Sequence, residues 1–206
     1  MEPRRPRRGL RLEHDGGVAS PGNIGVKVKR IVILGCGGAG KSTLARELGA
    51  RLGLPVVHLD REFWLPGWVE PDKAEWKTRA NRLTAAESWI MEGNYSSAWD
   101  QRLAACDTVV LLDFGRWTCL ARVVRRSLLH LGRTRPDMRE GCPERMPDRV
   151  FLRYIWTWRE VKRPIALAEI DRARARGKST YVLRGRAEVS QFLAGLPQRR
   201  EALASP

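Results

Sequence analysis

The run Gly35-Cys36-Gly37-Gly38-Ala39-Gly40-Lys41-Ser42 satisfies the pattern G-x-x-x-x-G-K-[ST], and its flanks limit what it can be. Ile31-Val32-Ile33-Leu34 before it predicts a buried strand, and Thr43-Leu44-Ala45-Arg46-Glu47-Leu48 after it predicts a helix. Glycines let successive backbone N–H groups converge on one anion where a side chain would obstruct them. The following helix adds its unpaired first-turn donors and the positive end of its dipole. Lys41 offers a point charge to β- and γ-phosphates, and Ser42 offers a hydroxyl to Mg²⁺, which prefers oxygen ligands. The run predicts a nucleoside triphosphate bound with magnesium, with Gly35, Gly37, Gly38, Ala39, Gly40, Lys41, Ser42 and Thr43 around the phosphates.

Beyond the loop, strand and helix patterns alternate. Strands are expected at about 30–34, 55–59, 89–91, 108–112 and 179–183. Helices are expected at about 41–52, 71–88, 99–105, 115–131, 148–176 and 187–195. The helix over 115–131 is expected to turn Trp117, Leu120, Ala121, Val124 and Leu128 to the core. Five strands joined by helical crossovers predict an α/β fold with a parallel, doubly wound sheet and one domain over 27–200. Residues 133–147, with three prolines among mixed charges, read as a lid or long loop. Residues 1–26, rich in Arg, Gly and Pro, read as a disordered basic tail. The tail is either an extension without function or a weak polyanion-binding arm.

No apolar run approaches the about 20 residues of a membrane span, and no apolar stretch follows the basic N-terminus as a secretory leader requires. The four cysteines form no C-x-x-C pair and no metal-ligand spacing, which fits a reducing cytoplasm. Net charge is +15, and the excess is concentrated in residues 114–206, where 21 Lys and Arg meet 9 Asp and Glu. Nucleic acid, an arginine clamp on polyphosphate, or simply solvated Arg-rich helices would each account for it.

Ligands of such sheets sit beyond the carboxyl ends of the strands, where this chain carries Gly35, Asp60, Glu92 and Asp113. Glu92 and Asp113 both qualify to organise Mg²⁺, and Glu92 is preferred because its strand should end beside the phosphate loop. Asp60 is placed to orient a hydroxyl acceptor or take its proton. Phe63, Trp64, Trp68 and Trp76 could wall a pocket for a flat ring, whereas His58 reads as buried structure. Arg122 and Arg126 share a helix face, and Arg133, Arg135 and Arg139 crowd the lid, where guanidinium forks suit phosphate oxygens.

From about 29 to 195 the chain resembles the adenylate-kinase-like P-loop kinases. Within them it resembles the bacterial proteins known as DNA topology modulation proteins. The carrying segments are the phosphate loop with Ile33-Leu34 before it and Thr43-Leu44 after, His58-Leu59-Asp60 with Phe63-Trp64 and Pro66-Gly67-Trp68, Glu92-Gly93-Asn94-Tyr95, Leu112-Asp113-Phe114 with Arg116-Trp117, and Arg133-Thr134-Arg135-Pro136-Asp137-Met138 with Glu140-Gly141-Cys142-Pro143. The resemblance implies a phosphate-loop strand at the sheet centre, ATP with magnesium, and a mobile lid. It implies that Arg122 and Arg126 stack on adenine and clamp phosphate, and that Arg184 and Arg186 lie where the adenine edge is held. It puts Glu92 where such kinases hold an Asp. The expected activity is Mg-dependent transfer of the ATP γ-phosphate to a small acceptor, with Lys41, Asp60, Arg122, Arg126, Arg133 and Arg135 as catalytic candidates and Ser42 and Glu92 as metal ligands. An ATP-dependent protein acting on DNA is the alternative. A GTPase is disfavoured, since no N-K-x-D run occurs.

Overall fold

The computed structural model describes residues 28–196. The expected tail over 1–26 and the end of the domain near 200 lie outside the described residues. Five strands, β1 (Arg30–Gly35), β2 (Val56–His58), β3 (Trp89–Glu92), β4 (Thr108–Leu112) and β5 (Ser179–Leu183), form one parallel sheet in the order β2-β3-β1-β4-β5. The phosphate-loop strand is central, as the resemblance implies.

β1 is buried on both faces, which is why it reads as an unbroken apolar run. Its side chains alternate between two cores. Ile31 and Ile33 join Ile90, Val110 and Leu112 on one face, under α1 (Lys41–Leu52), α5 (Arg116–His130), α6 (Arg149–Val161) and α8 (Arg186–Ala194). Val32 and Leu34 join Met91, Val109 and Leu111 on the other, under α4 (Trp99–Ala105) and α7 (Arg163–Ala175).

Three expectations need correction. The second strand stops at His58, and Leu59–Phe63 forms a short helix, α2, with Asp60 and Glu62 favouring its first turn. The helix expected over 71–88 is α3, Lys73–Ala85, because the Asp72 carboxylate caps it by accepting from Ala74 N at 2.7 Å and Glu75 N at 3.3 Å. The largest correction concerns α5. Its buried face is Cys119, Val123 and Ser127, while Trp117 is 69% and Leu128 63% exposed. The buried face is small because α5 lies against the phosphate loop. A Cβ on Gly38, whose φ is +78°, would meet the Cys119 carbonyl oxygen at 2.3 Å. Among the described residues, no helix is long and apolar enough to cross a membrane.

Candidate active site

One cavity of about 1540 Å³ runs along the carboxyl edge of the sheet. Gly37, Gly38, Gly40, Lys41, Ser42 and Thr43 line it at one end. Gly35 and Ala39 stand behind them. The Asn94 amide brackets Gly35, donating to its carbonyl at 2.6 Å and accepting from its N–H at 3.3 Å, and Ala39 is buried. Lys41 Nζ donates to the Cys36 carbonyl at 3.1 Å. Cys36 faces away from the cavity, its thiol buried against Cys119, which raises its pKa and leaves it inert.

Glu92 reaches this loop from β3. Its Oε1 accepts from Ser42 Oγ at 3.0 Å and from His58 Nδ1 at 2.9 Å. The sheet dictates the second contact: His58 and Glu92 are register partners in adjacent parallel strands, so their side chains share a face. His58 is thus an orienting partner for Glu92 rather than mere packing. Ser42 and Glu92 present oxygen donors that suit Mg²⁺, with phosphate oxygens and water left to complete an octahedron. Among the described residues, no group of three or more His, Cys, Asp or Glu forms a metal cage. Asp113 is committed elsewhere, to the Arg163 guanidinium through contacts of 2.8, 3.0 and 2.8 Å.

Asp60, at the start of α2, lines the same cavity and accepts from the Tyr95 hydroxyl at 2.8 Å. Burial, then the nearby Glu92 charge, raises its pKa above the ordinary carboxylate range. Arg102 fixes this corner from beneath. Buried itself, it donates to the Ala98, Gly93 and Tyr95 carbonyls at 3.1 Å each, and desolvation pulls its pKa down to about 10.

The arginines divide. Arg122 lines the cavity, donates to the Ala39 carbonyl at 3.0 Å and lies over the Phe114 ring at 4.6 Å. Arg126 and Arg135 also line it, tied together by the buried Glu144, which accepts from Arg126 Nε at 3.0 Å and Arg135 Nε at 2.7 Å. Arg133 is exposed and outside the lining, and Arg139 donates to the Arg61 carbonyl at 3.1 Å. Arg184 and Arg186 are exposed and border no part of the cavity, although the Arg186 charge, after burial, helps lower the pKa of Arg122.

Two acids in the lid escaped sequence reasoning. Glu144 is the arginine hub just described. Asp137 lines the cavity near Ser42; burial would push its pKa up, but the Arg135 charge, 2.8 Å away, and the Ser42 hydroxyl hold it below the ordinary value. The alternation Arg135-x-Asp137 was the available signal. The lid itself, between α5 and α6, is strapped to the loop after α2. Gly67 N donates to the Gly141 carbonyl at 2.7 Å, Trp68 Nε1 to Pro143 at 2.9 Å, Cys142 Sγ to Leu65 at 3.2 Å and Arg145 to Gly67 at 3.3 Å, while Arg139 reaches Arg61 in α2 itself at 3.1 Å. The approach is so close that a Cβ on Gly141 would meet Pro66 Cβ at 2.9 Å.

A glycine-rich loop between the central strand and the first helix of a parallel five-stranded sheet makes this an α/β P-loop NTPase fold. No family model matches the chain, and no curated protein sequence matches it. Among solved structures, a shikimate kinase from Acinetobacter baumannii in complex with shikimate is similar at 18% identity and TM-score 0.49, covering 81% of this chain and 90% of that one. A sugar kinase from Janibacter sp. HTCC2649 (17%, TM-score 0.46, 81% and 91% covered) and a gluconokinase from Sinorhizobium meliloti 1021 (16%, 0.45, 81% and 90%) are similar in the same loose sense.

Proposed function

We propose that this chain is an ATP- and Mg²⁺-dependent phosphotransferase acting on a hydroxyl of a small molecule. The observation that carries the reading is the meeting, in one cavity, of Lys41, Ser42 and Glu92 with a second, raised-pKa carboxylate, Asp60. Lys41 and the loop N–H groups grip the β- and γ-phosphates, and Ser42 and Glu92 hold the magnesium, which neutralises phosphate charge. The acceptor oxygen forms a bond to the γ-phosphorus as the bond from that phosphorus to the β-phosphate bridging oxygen breaks. The hydroxyl proton passes to Asp60, and ADP leaves. Arg122, Arg126 and Arg135 offset the charge spread over the equatorial oxygens, and Arg133 joins them only if the lid moves.

The resemblance to DNA topology modulation proteins rests on the motifs quoted from the sequence alone. The arginines at the cavity give the DNA-acting alternative little support, since Arg122, Arg126 and Arg135 are engaged by protein carbonyls and carboxylates inside the fold. Calorimetry with ATP·Mg²⁺ tests the reading: micromolar to millimolar uptake is expected, lost in Lys41→Ala. Uptake that survives that change defeats it. A screen of hydroxyl acceptors for ADP release then tests transfer.

A further inference from the structure

The inner face of α6 runs away from the phosphates. Phe151 starts it against the loop, where a Cβ on Gly37 would meet Phe151 Cζ at 2.9 Å. Tyr154 follows, its hydroxyl accepting from Asn94 Nδ2 at 2.9 Å. Trp158 sits edge-on to Tyr154 at 5.6 Å, and Lys162 comes one turn later, still in helical conformation. At 1.5 Å per residue, Lys162 stands about 16 Å beyond Phe151 along the helix. All four line the cavity.

Phe63 packs on Tyr95 at 4.5 Å and Trp64 meets Trp68 edge-on at 5.5 Å, and all four rings line the same cavity as Asp60 and the α6 residues. Flat faces of this kind suit a planar body far better than a flexible polyol.

Charge is scarce at the remote end. Among the described residues, only two cations that line the cavity, Arg46 and Lys162, make no side-chain hydrogen bond or ion pair, and Arg46 is exposed on α1. Lys162 is half-buried, and its neighbour Arg163 is already held by Asp113. Trp99, which belongs to the core that includes Ala166 and Ile170 of α7, also lines the cavity, and its buried indole N–H has no partner among the described residues. An unpaired, half-buried ammonium in a cavity lined by aromatic rings calls for an anion.

Resting on the phosphotransfer reading, we propose that the acceptor is a planar, hydroxyl-bearing molecule with one anionic group, and that Lys162 recognises that group. Lys162 is a specificity residue, remote from the reacting atoms. A carboxylate and a phosphate monoester share the required chemistry.

Calorimetry on the full chain without nucleotide tests this, in two arms. One pairs 4-(hydroxymethyl)benzoate with neutral 4-(hydroxymethyl)benzamide; the other pairs thymidine 5′-monophosphate with thymidine. In at least one arm the anion is expected to bind tenfold or more tighter than its neutral partner. Lys162→Met should abolish that preference while leaving neutral binding unchanged, and Lys162→Arg should retain most of it. The responding arm identifies the source of the anion. Equal affinities in both arms, a preference that survives Lys162→Met, or no binding by any of the four overturns the proposal. Lys41→Ala carries no weight in this readout, so failure of this test and failure of the nucleotide test are told apart.

Discussion

Glu92 and Asp113 look alike in the sequence, each an acid at the end of an apolar strand beside β1, yet they do opposite things. β1 residue Ile33 is level with both Glu92 in β3 and Val110 in β4. Glu92 shares the face of Ile90, the side of the sheet covered by α1, and so meets Ser42. Asp113 shares the face of Val109 and Leu111, the side covered by α7, and so meets Arg163. Strand parity, not nearness to the phosphate loop, decides which acid is available for chemistry. A shift of one residue would exchange their roles.

The contrast predicts that the two acids fail differently. Glu92→Gln should lower kcat by about a hundredfold or more, comparable to loss of a general acid–base group, with the melting temperature little changed, because Gln keeps the shape between Ser42 and His58. Asp113→Asn should do the reverse. Steady-state rates should stay within about threefold, while urea unfolding shows a loss of about 1–2 kcal/mol, the cost of losing charge-assisted hydrogen bonds to the part-exposed Arg163. Equal rate losses in both variants would erase the distinction.

Asp60 sharpens the picture through pH. Its raised pKa means that the proton-accepting form disappears as pH falls through a value above the ordinary carboxylate range, so the acid limb of the kcat/KM profile should lie there and vanish in Asp60→Asn. Because the neutral form is favoured in the fold, the stability tied to Asp60 is present at low pH and lost as pH rises. Asp60→Asn should therefore melt higher than the parent at pH 8 while turning over far more slowly. The smallest effect is expected for His58→Gln, about tenfold in Mg²⁺ affinity, since it would orient the proposed ligand Glu92 without being one.

Most of the scaffold was legible because it is local. The loop, the alternating strands, the helix stop at Gly53 and the helix start at Asp72 each depend on neighbours in sequence. What was missed depends on distant pairing. The α5 stripe of Trp117, Val124 and Leu128 outweighed the small residues Cys119, Val123 and Ser127 by hydrophobicity alone, and nothing local says that the phosphate loop presses within a hydrogen's width of that helix. Asp137 and Glu144 gain meaning only once the lid folds back over Ser42 and α5. Glu92 was preferred for the metal on strand position. Its parity with Ile90, a stronger sign, was equally present in the sequence.

The strap between the lid and the loop after α2 has a mechanical result. Each of its four hydrogen bonds is worth about 1 kcal/mol, so peeling the cover off by itself would sacrifice about 4 kcal/mol, and the two segments are held as one piece. The lid arginines Arg126 and Arg135 and the tryptophans Trp64 and Trp68, which line one cavity, are thereby fixed relative to one another.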